Sequence, residues 1–359
     1  MLSRLLLTLS TILSVVRSSS SLRTVSNMSF KRAKLAETAS SKVIGTHSGS
    51  FQADEAMAVF LLRQLPEYRH SKVVRSRDPA VLEPLDIVVD VGGVYDHALL
   101  RYDHHQRGYE ERFTPDRCTK LSAAGLVYRH YGEAVVKAYY PDLHDQHTSV
   151  VYNKLYDRLF EALDAIDTGV EPHSEPLLYK DSTGLASRVG RLNPRWNEEG
   201  IDPDERFEQA VQLCGADFEA ILTSLVESDL PARQFVEQAV LERHSVDASG
   251  EILCLKAGGM PWKNHLYELE QLHSVDPLVK FVLYTDQSGM WRVQAVTVEG
   301  TAFENRLGLP EEWRGVRDED LEAVTQIPGS RFVHAAGFIG GANTFEGALA
   351  MAREALKRA

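Results

Sequence analysis

The sequence predicts an α/β fold: a parallel-sheet N-terminal domain, a helical linker, and a smaller α+β C-terminal domain. Three observations carry this. Short, continuously apolar runs such as Ile87-Val88-Val89 end in an acid and then in glycines, Asp90-Val91-Gly92-Gly93, as strands buried on both faces do. These runs alternate with helical stretches, the order of an α/β unit. From Glu251 onward the texture changes to strand-like runs, one of period two, around a turn. The boundaries are a leader over 1–40, the first domain over 41–198, the linker over 199–245 and the second domain over 246–359.

The chain has 359 residues, enough for two cores, and is 43% hydrophobic and 25% charged, an ordinary globular composition. A net charge of −12 excludes a protein that coats duplex DNA through bulk positive charge. It does not exclude a nuclease, whose acidic metal ligands add negative charge. Three cysteines, Cys118, Cys214 and Cys254, lie far apart, so neither a disulfide framework nor a cysteine zinc site is expected. The first 36 residues hold no Asp or Glu, but carry Arg4, Arg17, Arg23, Lys31, Arg32 and Lys34 among nine serines. That is the composition of a mitochondrial transit peptide, a secretory signal being the competitor. The apolar run from Leu5 to Val16 is too short to span a bilayer, and no membrane partner is expected. Met28 offers a second start that would omit the transit segment and expose a basic patch, so location in both mitochondrial matrix and nucleus is expected.

Taken in order, Lys42–His47 reads as a strand, Ser48–Gln52 as a loop, and Asp54–Arg63 as a helix with acids in its first turn. Loops of this kind lie at the carboxyl end of a sheet, where ligands bind. His47 and Asp54 fall there, although Asp54 also suits a helix cap and His47 a polar strand end. Lys72–Ser76 and Ile87–Val91 are further strands, the second placing Asp90 at its tip. Leu99–Tyr102 leads into Asp103-His104-His105. A carboxylate beside two imidazoles offers mixed N/O ligation that suits a divalent transition metal, against a solvated loop with two chance histidines. Leu121–Tyr128 opens a helix. Val151–Asp167 is helical and ends in Asp167-Thr168-Gly169, with Asp164 one turn earlier. Arg188, Arg191 and Arg195 flank Trp196 in a basic stretch that suits phosphate contacts and base stacking, or else a surface loop with a buried Trp. Glu205–Leu241 reads as the helix linking the lobes. Ile252–Leu255, Leu278–Tyr284 and Trp291–Val298 are strands, with Asp286–Gly289 as a hairpin turn. Phe332–Asn343 reads as a glycine-punctuated loop that holds His334 and precedes a final helix.

His47, Asp54, Asp90, Asp103-His104-His105 and Asp167-Thr168-Gly169, in that order, resemble the DHH phosphoesterase superfamily. The segments THSGSFQADEA, VVDVGGVYD, RYDHHQRG, KLSAAGLVY, ALDAIDTG, RLNPRWN and FVHAAGFIGGANT are similar, more closely, to the melanocyte-proliferating-gene (Myg) family of DHH-type 3′-to-5′ RNA exonucleases, from about Lys42 to the C-terminus. The resemblance implies a DHH-type first domain and a substrate-binding second domain. It implies metal ligation by His47, Asp54, Asp90, Asp103, His104 and Asp167, catalytic roles for Asp103, His104 and His105, and contact of His105 with substrate phosphate or metal. His334, Gly340 and Gly341 resemble a substrate loop, and Arg101, Arg107, Arg188, Arg191 and Arg195 are assigned to phosphate. Many relatives open with a His followed by two aspartates. Here only Asp54 follows His47 and Phe51 stands near the other position, which leaves the number of metals open, with Glu55 as the nearby carboxylate that could compensate.

The resulting expectation is a metal-dependent 3′-to-5′ exoribonuclease that takes the 3′ end of single-stranded RNA, in mitochondria and nucleus. A metal pair clamps the phosphodiester, activates a water and stabilises the leaving oxygen. Histidine ligands favour Mn²⁺ over Mg²⁺. The alternatives are a phosphohydrolase of dinucleotides or pyrophosphate and a catalytically inactive RNA-binding protein. The residues leave the oligomeric state open, a homodimer included.

Overall fold

Two five-stranded sheets, each built around short buried strands, organise the chain in a computed structural model that describes residues 42–174, 179 and 181–359. The leader over 1–40 and its expected transit peptide lie outside the described residues. In the first sheet β1 (Val43–Thr46) leads through a loop to α1 (Ala53–Gln64). Then follow β2 (Lys72–Arg75), the short α2 (Pro79–Leu82), β3 (Ile87–Val89), β4 (Tyr95–Asp96) and β5 (Arg101–Tyr102). The order is β2-β1-β3-β5-β4. All neighbours are parallel except the edge strand β4, so β1, β2, β3 and β5 end at one edge. Every residue of β3 is buried, as its apolar run requires.

Helices cover this sheet. α1 packs on α3 (Ala123–Tyr139) and on α7 (Pro203–Ser224). α3 begins at Ser122, whose hydroxyl accepts from Gly125 N. α4 (Asp145–Leu155) runs through one π-turn, Tyr156–Phe160, into α5 (Glu161–Thr168), which stops at left-handed Gly169. The short α6 (Leu185–Gly190) follows. α7 starts at Asp202 with Pro203 in its first turn, and a second π-turn, Leu225–Asp229, joins it to α8 (Leu230–Val246). That turn sits immediately before Pro231, which has no N–H and whose ring clashes with the carbonyl four residues back. From Pro203 to Val246 the chain is therefore a continuous helical run with a widened turn.

The second sheet has the order β6-β7-β8-β10-β9. β6 (Ile252–Cys254) is parallel to β7 (Phe281–Thr285), with α9 (Lys263–Leu272) between them, and the other pairs are antiparallel. β8 (Trp291–Ala295) follows the expected Asp286–Gly289 turn. α10 (Asp318–Thr325) precedes β9 (Ser330–Val333) and β10 (Ile339–Ala342), and α11 (Phe345–Lys357) closes the chain. α11 covers one face, where Phe281, Leu283, Val293 and Ala342 meet Leu349, Met351 and Ala352. Val282, Val296 and Leu253 pack on α8 and α9 on the other.

One expectation is corrected here. Gly340 and Gly341 belong to β10 and form no loop. A Cβ on Gly340 would stand 3.1 Å from Leu309, Met351 and the Phe332 carbonyl, and one on Gly341 would stand 2.6 Å from the Phe332 ring. Their smallness is a packing requirement of a strand crowded on both faces. Only the turn between β9 and β10 is a loop, and it carries exposed His334, whose Nδ1 accepts from Ala336 N. No helix among the described residues is long and apolar enough to cross a membrane.

Candidate metal centre

The shared end of the parallel strands assembles the centre. His47 follows β1, Asp90 follows β3, and Asp103-His104-His105 follows β5. Asp54 comes from the first turn of α1 and Asp167 from the last of α5. Asp90 leaves β3 with φ 56°, a left-handed conformation that Asp tolerates better than most residues. Gly93, at φ 66°, then turns its N–H onto Asp103 Oδ2. The other Asp103 oxygen accepts from His105 N at 3.0 Å and meets His105 Nδ1 at 2.8 Å.

Three overlapping groups result: Asp90, Asp103, His104 and His105; His47, Glu55 and Asp90; and Asp54, His104 and Asp167. Within each, donor atoms lie within 4.8 Å of one another. Asp90 belongs to two groups and His104 to two, so the groups form one continuous cluster. His47 Nε2 stands 3.0 Å from Glu55 Oε1 and 3.3 Å from Asp90 Oδ2. His104 Nε2 stands 2.9 Å from Asp167 Oδ2 and its Nδ1 3.6 Å from Asp90 Oδ1. The His105 side chain is 61% exposed, whereas the other members of the cluster are buried or nearly so.

The donors fit a divalent cation. Both Asp54 oxygens, Asp90 Oδ1 and His104 Nδ1 are buried with no hydrogen-bond partner. A buried carboxylate without a donor is costly unless a cation or a proton neutralises it. The electrostatics report the same crowding. Burial raises Asp54 well above the ordinary carboxylate range, and the charges of Asp90, Glu55 and Asp167 add to it. Burial also raises Asp90, against the opposing pull of His47. For His47, burial acts downward, but hydrogen bonds and charge from Asp90 and Glu55 outweigh it and lift the imidazole to about 10. His104 is raised likewise, burial being overcome by Asp167. The mixed His/carboxylate set suits a divalent metal ion.

All six expected ligands, His47, Asp54, Asp90, Asp103, His104 and Asp167, are brought into this cluster, as is His105. Glu55 joins them. Its oxygens accept from Gln52 N at 2.9 and 3.0 Å, so one carboxylate both caps α1 and faces His47. Phe51 occupies the other position of the first motif as a core residue, edge-on to Phe207 at 5.7 Å. Asp164 turns away from the cluster. Fully buried, it accepts from Ser122 N at 2.9 Å, Ser122 Oγ at 2.7 Å and the Tyr156 hydroxyl at 2.8 Å.

The basic residues are placed unevenly. Arg101 donates to the carbonyls of Leu99, Leu100, Glu83 and Leu85, toward the chain that precedes β3, and so away from the Asp90 end. Arg188 is paired with Asp217 at 2.8 Å, and Arg191 donates to Ser182 O. Arg107 and Arg195 are exposed, and Trp196 is 97% exposed, so this stretch does not bury its Trp. Gly340 and Gly341 belong to the second sheet and His334 to the turn before β10, and none of them joins the three ligand groups. A cavity of about 380 Å³ opens beside Asp54 and Asp167, walled by Ile166, Ala186, Ser187 and Gly190. Two residues escape a reading of the sequence. Asn193 clasps the Phe51 backbone, accepting from its N–H and donating to its carbonyl, both at 2.8 Å. Arg77 reaches His47. The only hint of Arg77 is its place just beyond a strand end, and Asn193 gives none.

The family model described as an uncharacterised protein family (UPF0160), under the label MYG1 exonuclease, matches residues 43–356. A MYG1 protein of Caenorhabditis elegans is 45% identical over 323 residues, covering 88% of this chain and 95% of its own length. The MYG1 exonuclease of Homo sapiens is 48% identical over 320 residues, covering 87% and 85%. A MYG1 protein of Saccharomyces cerevisiae is 43% identical over 338 residues, covering 91% and 99%.

Proposed function

The chain belongs to the MYG1 exonuclease family, and from that premise we propose that it is a metal-dependent phosphodiesterase of the DHH superfamily that removes nucleotides from the 3′ end of single-stranded RNA. The observation that carries this reading is the sharing of Asp90 and His104 between ligand groups, which makes one cluster with donors enough for two cations. A cation pair, Mn²⁺ in preference to Mg²⁺, would be held by His47, Glu55, Asp54, Asp90, Asp103, His104 and Asp167. It would supply electrophilic polarisation of the phosphodiester and a water of lowered pKa.

The chain's own residues do the rest. Asp103 fixes the exposed His105 through Nδ1, so its Nε2 faces solvent as the group that gives or takes a proton at the reacting phosphate. Asn193 fixes the Phe51 backbone and so the loop that leads to Asp54. Arg195 and Trp196, both exposed on the same stretch as Asn193, are available to the strand's phosphates and bases.

The test is a 5′-labelled 20-mer RNA incubated with the Mn²⁺-loaded protein. A ladder of products shortened from the 3′ end is expected, lost in Asp103→Ala and His104→Ala. An intact 20-mer, or variants as active as wild type, would refute the reading. The cavity of about 380 Å³ lies at the small end of ligand pockets and favours a second reading, a phosphohydrolase of dinucleotides. Turnover of a dinucleotide with the 20-mer untouched would select it. The proposed locations, mitochondrial matrix and nucleus, are tested by reporter fusions starting at Met1 and at Met28. Identical distributions would reject dual targeting. The oligomeric state, a homodimer included, is read by light scattering.

A further inference from the structure

Among the described residues, Arg77 is the one guanidinium in contact with a member of the ligand cluster. Its position follows from the sheet. Ser76 N donates to Thr46 O at 2.8 Å, which ties the chain beyond β2 to the end of β1 and sets Arg77 beside His47. Nε donates to Ser48 O at 3.1 Å, and Nη2 lies 3.2 Å from His47 Nδ1. We propose that Arg77 binds the substrate's phosphate at this centre, through a non-bridging oxygen of the phosphodiester. The proposal rests on the phosphodiesterase reading and adds the residue that recognises the anion.

Three features support it. First, the cluster gathers the carboxylates of Asp54, Glu55, Asp90, Asp103 and Asp167, so a phosphate approaching it needs a positive group that is not already spent. Second, Arg77 has no carboxylate partner among the described residues, unlike Arg188 with Asp217 and Arg75 with Asp204, and it is exposed. Third, its tether leaves it beside the cluster. Nε is anchored on Ser48 O at 3.1 Å, and Nη2 lies 3.2 Å from His47 Nδ1, so the guanidinium is held next to a ligand by a backbone carbonyl. That is a tethered, planar guanidinium edge, the shape that meets a phosphate.

The experiment titrates inorganic phosphate into the full chain loaded with saturating Mn²⁺, by calorimetry, with metal content measured in parallel. Wild type is expected to bind phosphate. Arg77→Ala is expected to keep its Mn²⁺ and bind phosphate about tenfold more weakly or worse, with KM for RNA rising more than kcat falls. Arg77→Lys is expected to recover part of the loss, because the charge remains and the fork does not. Three results would each overturn the proposal. They are a wild type that does not bind phosphate, an Arg77→Ala protein that binds it as tightly, and loss of Mn²⁺ from Arg77→Ala, which would make the residue a positioner of His47. Failure of the phosphodiesterase reading looks different: wild type binds phosphate yet leaves both 20-mer and dinucleotide intact.

Discussion

At the scale of single residues, Asp54 and Glu55 are neighbours with opposite consequences for an empty site. Asp54 has two buried oxygens without a donor, so the cation-free fold carries an uncompensated cost there. Asp54→Asn is expected to raise the melting temperature of the EDTA-treated protein and to lower the further rise that Mn²⁺ produces in wild type. A calorimetric scan with and without metal reads both, and a variant that melts lower without metal would contradict the account. Glu55→Gln keeps an oxygen for the α1 cap but removes the charge opposite His47, so Mn²⁺ affinity is expected to fall about 10–100-fold with little change in melting temperature. Protons and metal compete at these ligands. His47, raised to about 10, holds a proton that a cation must displace, and burial shifts Asp54 and Asp90 upward as well. Apparent Mn²⁺ affinity should therefore climb as pH rises from about 6 to 9, about tenfold per unit for each proton released. A flat profile by calorimetry would argue that these groups are not the ligands.

At the scale of elements, Asp164 locks α5 to the start of α3, and Gly125 makes room for it. A Cβ on Gly125 would lie 2.4 Å from both carboxylate oxygens, so Gly125→Ala is expected to cost about 1–3 kcal/mol in urea unfolding. Burial lifts Asp164 to about 7, against the hydrogen bonds from Ser122 and Tyr156 that lower it. The unfolded chain loses this proton near the model-peptide value of 3.8. Between these values the folded state binds the extra proton, so this group's contribution declines as pH rises through the window and levels off above 7. The stability of wild type minus that of Asp164→Asn should shrink from pH 5 to pH 8, and a difference that grows would reverse the assignment. The elements legible in the sequence were those with one dominant local cue. Ile87–Val89 is an apolar run with an acid at its tip, and the triplet follows a strand. The glycine pair at 340–341 misled because glycine marks loops by backbone freedom, whereas here it answers crowding from Met351 and Phe332, contacts that no local pattern announces.

At the scale of the whole molecule, Asp229 ties the first-sheet helices to the second lobe. From the π-turn before α8 its buried carboxylate meets Lys154 Nζ at 2.8 Å and Arg158 Nη2 at 2.6 Å, and His265 Nε2 of α9 lies 3.0 Å from its carbonyl. Arg158 is partly exposed, so its share is screened. Asp229→Ala is expected to cost about 2 kcal/mol in all and to let the lobes unfold at separate urea concentrations. Coincident fluorescence and circular dichroism transitions would contradict that separation. Long-range ties of this kind explain what stayed hidden. The Asn193 clasp on Phe51 spans 142 positions, and the Arg77 contact with His47 spans 30, so neither has a local signature. The ligands were legible because each sits at or just beyond an element terminus, while their supports depend on how the elements stack.

The left-handed turn at Asp90 also has an evolutionary reading. Of the residues that tolerate such a backbone, asparagine and glycine are each one nucleotide from an aspartate codon. Neither brings a carboxylate. Fold and chemistry at this position can therefore part company in a single mutational step, and a population of such chains would pass a test of folding while failing a test of metal binding.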